Sequence, residues 1–161
     1  MTETNATATT TAEPAIAPSA CIARNAAVVG DVEIGENSTV LFNATLRGDF
    51  GGRIVIGKRT NIQELVCVHV SADADTIIGD DVTVGHGAIV HGCTIGDGAL
   101  IGMGAIVIDG AKIGERCLVG AGALVTGTAD IPPEMLVIGS PAKAVRPLTD
   151  SELQSLVDSA E

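Results

Sequence analysis

Aliphatic residues recur every six positions along most of this chain. They stand at Ile22, Val28, Ile34, Val40 and Leu46, and after an insertion at Ile56, Ile62 and Val68. A second insertion leads to Ile78, Val84 and Val90, and a step of five to Ile95. The sixes then run through Ile101, Val107, Ile113, Val119, Val125, Ile131 and Val137. Two other columns keep the same frame. Glycine follows the aliphatic residue at 35, 57, 79, 85, 96, 102, 114 and 120. A small residue stands four places after it at Ala26, Ser38, Ala44, Ala88, Ala99, Ala105, Ala111, Cys117, Ala123 and Ala129.

Three columns in one register predict a hexapeptide parallel β-helix, in which each short strand packs on its equivalent one coil away. The aliphatic and small residues should point inward and stack about 4.8 Å apart along the axis, with glycine easing the corners. Three sixes make a triangular coil, so about six coils fit between Ile22 and Val137. The domain expected is 19–148. Residues 1–18, rich in Thr, Ala and Pro without periodicity, are expected to be a disordered tail. Pro132, Pro133 and Pro141 end the repeat because proline cannot donate to a ladder. Residues 149–161 read as a helix with Thr149 as N-cap, Glu152 three places on, and an apolar stripe of Leu153, Leu156 and Val157.

Composition fits such a stack. Twenty glycines accompany two Phe, no Trp and no Tyr, so the core is aliphatic. A net charge of −11 excludes a nucleic-acid role, which needs clustered Lys and Arg, and disfavours an anionic membrane surface. No apolar run is long enough to cross a bilayer, and a cytoplasmic location is expected. Cys21, Cys67, Cys93 and Cys117 are too scattered for a zinc ribbon or a disulfide framework. Cys67, Cys93 and Cys117 are expected to be buried thiols.

The chemistry lies between Val68 and Cys93, which holds all three histidines. His69 follows Val68 and His91 follows Val90, both in the column where glycine usually stands. One coil separates them, so they should stack about 5 Å apart, close enough to share an ion with Zn–N bonds of about 2.1 Å. His86 stands one column further on in its own repeat. Five extended residues, a path of about 16 Å, separate it from His91. Donation of His86 by a neighbouring chain removes the strain. A homotrimer with one metal site at each of its interfaces is therefore expected.

The runs NATLRGD (43–49), IGKRTNIQE (56–64), VHV (68–70), VGHGAIVHGCTIGDGALIGMGA (84–105) and GSPAKAVRPLT (139–149) closely resemble γ-class carbonic anhydrases and their bacterial relatives. The resemblance implies a left-handed β-helix trimer that holds Zn2+, Fe2+ or Co2+ on His69, His86 and His91, the middle one from the neighbour. It implies reversible hydration of CO2 to bicarbonate by a metal-bound hydroxide. Gln63 matches the glutamine that orients the metal-bound water, and Arg47 with Asp49 matches an inter-subunit ion pair. Glu64 stands where relatives usually carry Asp, and Phe50 where the best-characterised members carry an acid. The loop SADAD (71–75) leaves Asp73 and Asp75 as candidate proton carriers. Two other functions suit the same fold. One is acyl transfer or thioester hydrolysis on acyl-CoA, which needs a metal-free histidine as base. The other is a non-catalytic, metal-binding trimeric assembly protein.

Overall fold

The computed structural model describes residues 12–160. It is a left-handed parallel β-helix whose three faces are sheets of short strands, with one C-terminal helix docked against face B. Face A has seven strands, from Ala15–Ile16 to Asp130–Ile131, and face C has six, from Ala27–Gly30 to Leu124–Val125. Face B has eight: seven parallel strands from Cys21–Ile22 to Met135–Gly139, and Ala142–Pro147 antiparallel at the end.

The sixfold frame is the register of these sheets. Ile34, Ile56, Ile78, Ile95, Ile113 and Ile131 pair in sequence on face A. Val40, Ile62, Val84, Ile101, Val119 and Val137 do so on face B, and Leu46, Val68, Val90, Val107 and Val125 on face C. All are buried and form one continuous core with the small column. Two polar members of that column, Ser38 and Thr60, are satisfied vertically. Thr60 Oγ1 donates to Gly79 O at 2.7 Å and accepts from Val82 N at 3.0 Å, and Ser38 repeats the pattern one coil below.

Four expectations need correction. The solenoid begins inside the stretch assigned to the tail, since Ala15–Ile16 pairs with Glu33–Ile34; residues 1–11 lie outside the described residues. Glycine in the column after the aliphatic residue does not supply the left-handed turn. That conformation falls two places later, where Asn37, Asn43, Arg59, Leu65, Asp81, Arg116 and Glu134 all adopt it. The glycine is needed for close approach instead: a Cβ on Gly57 would lie 2.5 Å from Gly79 O. Cys93 and Cys117 are buried, but Cys67 is exposed, because it precedes Val68 and so points outward. The helix stripe is only partly covered, with Leu156 buried and Val157 half exposed.

The helix, Asp150–Ala160, starts as its sequence requires. Thr149 N donates to Glu152 Oε2 at 2.8 Å, and Glu152 N donates back to Thr149 Oγ1 at 3.3 Å. Its far end is tied to face B by Asn61 and Thr83, which both donate to Ser159 O. Arg146 donates twice to Glu152, at 2.7 and 2.8 Å. This pair, followed by the Thr149 backbone, holds the Glu152 carboxyl down to about 2. A depressed carboxyl adds stability above its unfolded value of 4.5 and loses it as pH falls towards 2. The Glu152 carboxyl 13C resonance should therefore titrate near pH 2, and the helix cap should hold through the ordinary glutamate range. A midpoint at 4 or above would contradict the pairing.

Candidate metal centre

Each face meets the next at a corner, and the predicted residues divide between two of them. The strand Cys67–His69 pairs with Ile89–His91 in register, which sets His91 directly over His69 at the exit of face C. His69 Nδ1 and His91 Nε2 face each other at 3.0 Å, with ring centroids 5.0 Å apart. Arg47 lies in the same column one coil below, in register with His69. Thr76 pins this corner from inside: its Oγ1 donates to His69 O at 2.5 Å and accepts from Gly92 N at 2.8 Å.

Asp49 closes the corner with its side chain 11% exposed, its Oδ1 3.8 Å from His69 Nε2 and 3.1 Å from Arg47 Nη2. Arg47 and Asp49 thus lie side by side within the chain. Phe50 covers His69 from outside, ring centroids 6.1 Å apart and tilted by 35°.

His86 stands at the other edge of face C, on the corner where face B hands over. It shares that corner with Gln63 and Glu64, which follow Ile62 one coil below just as His86 follows Val84. Glu64 Oε2 lies 2.8 Å from His86 Nδ1, so the longer arm of Glu64 reaches the histidine while Arg47 is paired elsewhere. Of the two loop acids, Asp75 is occupied: its Oδ1 accepts from Arg53 N at 2.9 Å. Asp73 is exposed, and among the described residues neither acid contacts a histidine.

Asp109 was not anticipated from the sequence. Its Oδ1 is hydrogen-bonded to His91 Nδ1, and Ser71 Oγ donates to its Oδ2. These contacts hold the Asp109 carboxyl below the usual range, the Ser71 hydrogen bond first. The frame does contain a signal. Two places after the aliphatic residue on face C stand Gly30, Gly48, Val70, Gly92, Asp109 and Gly127, so Asp109 is the one polar side chain in a column mostly of glycine.

The surroundings keep His69 as a neutral donor. Burial, then the charges of Arg47 and His91, lower the His69 pKa, which leaves its imidazole neutral and able to ligate at neutral pH. Its Nε2 is buried without a hydrogen-bond partner. Such an atom costs about 1–3 kcal/mol, a penalty that coordination would remove. The donor set fits a divalent metal, but one chain supplies only part of it. Among the described residues no three His, Cys, Asp or Glu side chains converge on one point.

Comparison with known proteins identifies the family. The bacterial transferase hexapeptide model (six repeats) matches residues 75–107 and 92–127. A Methanocaldococcus jannaschii protein named as a probable carbonic anhydrase is 52% identical over 86% of this chain and 87% of its own length. A Geobacillus kaustophilus carbonic anhydrase is 46% identical over 89% of this chain and 78% of its own. A Bacillus cereus crystal structure, assigned as an acetyltransferase candidate, superposes with a TM-score of 0.91 at 44% identity over 93% of this chain and 87% of that one. With the repeat register of the fold and the identity to these relatives over most of its length, the chain belongs to the γ-class carbonic anhydrase-like family of hexapeptide-repeat proteins.

Proposed function

We propose that the chain is a carbonic anhydrase: a cytoplasmic homotrimer that interconverts CO2 and bicarbonate at three interfacial metal sites. The observation that carries this reading is the division of the site. His69 and His91 occupy one edge of face C and His86 the other. Around a threefold axis, the exit edge of one chain can meet the entry edge of the next. The metal, Zn2+ or alternatively Fe2+ or Co2+, would be held by His69 and His91 of one chain and His86 of its neighbour. When bound, such an ion supplies a water acidified to near-neutral pH as the nucleophile.

The chain's own residues then do the rest. Gln63 and Glu64 arrive at the interface with His86, where the Gln63 amide can orient the attacking water. Glu64 holds His86 by Nδ1. Arg47 and Asp49 neutralise each other beside His69, and Phe50 screens that ring from solvent. With Asp75 bonded to Arg53, Asp73 is the loop carboxylate left to pass protons to bulk water.

Acyl transfer is the second reading, favoured by the acetyltransferase candidate among the structural relatives. It requires a histidine that no metal occupies. Metal analysis of the trimer together with stopped-flow CO2 hydration separates the two. About one metal per chain with hydration that a chelator abolishes is expected. Metal-free protein that turns over an acyl-CoA would overturn the proposal, and metal-replete protein with no hydratase activity would point to an assembly role.

A further inference from the structure

We infer that Asp109, braced by Ser71, fixes the tautomer of His91 and so presents the His91 Nε2 lone pair towards His69 and the ion the two would share. The inference rests on the metal reading above.

A neutral imidazole carries one N–H and one lone pair, and its tautomer follows from what each nitrogen meets. A carboxylate only accepts, so the contact between Asp109 Oδ1 and His91 Nδ1 requires the proton on Nδ1. The lone pair is then on Nε2, the atom that faces His69 Nδ1 at 3.0 Å. In the metal-free chain His69 must in turn donate from Nδ1. This order leaves the His69 lone pair on Nε2, the buried nitrogen that has no hydrogen-bond partner. One carboxylate thus orders the protons of two rings.

The backbone is built to seat that carboxylate. Asp109 fills the gap left by Gly92 one coil below: a Cβ on Gly92 would lie 2.9 Å from Asp109 Cγ. Above it, a Cβ on Gly127 would lie 2.0 Å from Asp109 O. Gly110 N donates to Gly92 O at 2.8 Å and fixes the coil spacing beside it. Ser71, from the loop after His69, occupies the second carboxylate oxygen and leaves the first for the ring. Asp109 is therefore a positioning residue rather than a ligand. Partners of this kind set ligand orientation and basicity at metal sites. The pair is partly exposed, His91 at 31% and Asp109 at 46%, so its effect lies in placing a proton rather than in adding stability.

The test uses the full-length, 15N-labelled protein without metal. The chain has three histidines, so the ring nitrogen resonances can be assigned with single His→Gln variants. Expected in the wild type is a proton on Nδ1 of both His91 and His69. In Asp109→Ala, His91 should shift towards the Nε2–H form, and zinc and cobalt affinity should fall about 10- to 100-fold. Ser71→Ala should show a smaller loss in the same direction. Asp109→Asn, whose amide oxygen still accepts, should recover the wild-type tautomer and most of the affinity. It also keeps the test decisive if the alanine variant folds poorly. A wild-type His91 protonated on Nε2, or an Asp109→Ala protein within twofold of wild-type affinity with its tautomer unchanged, would overturn the inference. Wild-type protein that takes up no metal, yet in which Asp109 governs the tautomer, would remove the metal reading and leave this one standing.

Discussion

Trimers of pure His69→Ala chains, and of pure His86→Ala chains, should bind no tightly held metal, and mixed trimers of the two should recover it. Each pure variant lacks one of three ligands at every interface. Suppose that one chain supplies His69 and His91 while its neighbour supplies His86. A His86→Ala chain then still offers an intact pair, and a His69→Ala chain still offers an intact third ligand. Where the two meet in that order, the site is whole. Where they meet in the reverse order, only His91 is left. Random exchange at equal ratio makes about three-quarters of the trimers mixed, each with one whole site in three. Metal should thus return to about a quarter of the sites. The geometry behind this is the placement of His69 and His91 in register on one edge of face C and of His86 on the other. Metal stoichiometry on the exchanged trimers is the readout. No recovery, with exchange verified by mass spectrometry, would eliminate the shared site.

Ile62→Ala should cost about 2–5 kcal/mol of stability, and Ile62→Val about 0.5–1.5. Ile62 is fully buried on face B between Val40 and Val84. Its side chain fills part of the one continuous core, so truncation leaves a cavity there. The residue also positions the corner that carries Gln63 and Glu64, so metal affinity should fall with stability. Val157→Ala, on a half-exposed helix position, should stay within about 0.5 kcal/mol. Chemical denaturation at fixed protein and metal concentrations makes the comparison valid, because assembly and ligand binding both shift apparent stability. A loss below about 1 kcal/mol for Ile62→Ala would mean that the column is not close-packed.

What the sequence disclosed, and what it did not, divides along the pleat of the strands. Inward positions obey a repeat, since a residue such as Val84 must match Ile62 below and Ile101 above. Their identity therefore carries the register, both insertions and the stacking of His69 under His91. Outward positions obey no such rule. The Arg53–Asp75 and Glu64–His86 contacts link outward side chains of adjacent coils: the coil spacing sets the positions one above the other, but no repeat dictates which residue types stand there. Cys67 was misplaced by reading hydrophobicity where parity of position decided. The strand at Ala15–Ile16 was missed because its neighbours are Pro, Ala and Thr, which hide a single aliphatic residue. Asp109 lay within reach, but only as an exception in a glycine column rather than as a motif.

The antiparallel hairpin at the end of face B bears on how the molecule lives in a crowded solution. A stack of identical coils is a template for its own extension, because its last rung offers unpaired amides to whatever strand arrives next. Here the strand Met135–Gly139 is met by Ala142–Pro147 running the opposite way, with a register break between Leu136 and Val137. Pro132 and Pro133 withdraw donors from the last rung of face A. A reversed strand that presents Lys143, Arg146 and Pro147 cannot continue a parallel ladder. The chain thus carries a terminator for its own polymerisation, and can use a fibre-like architecture without forming fibres.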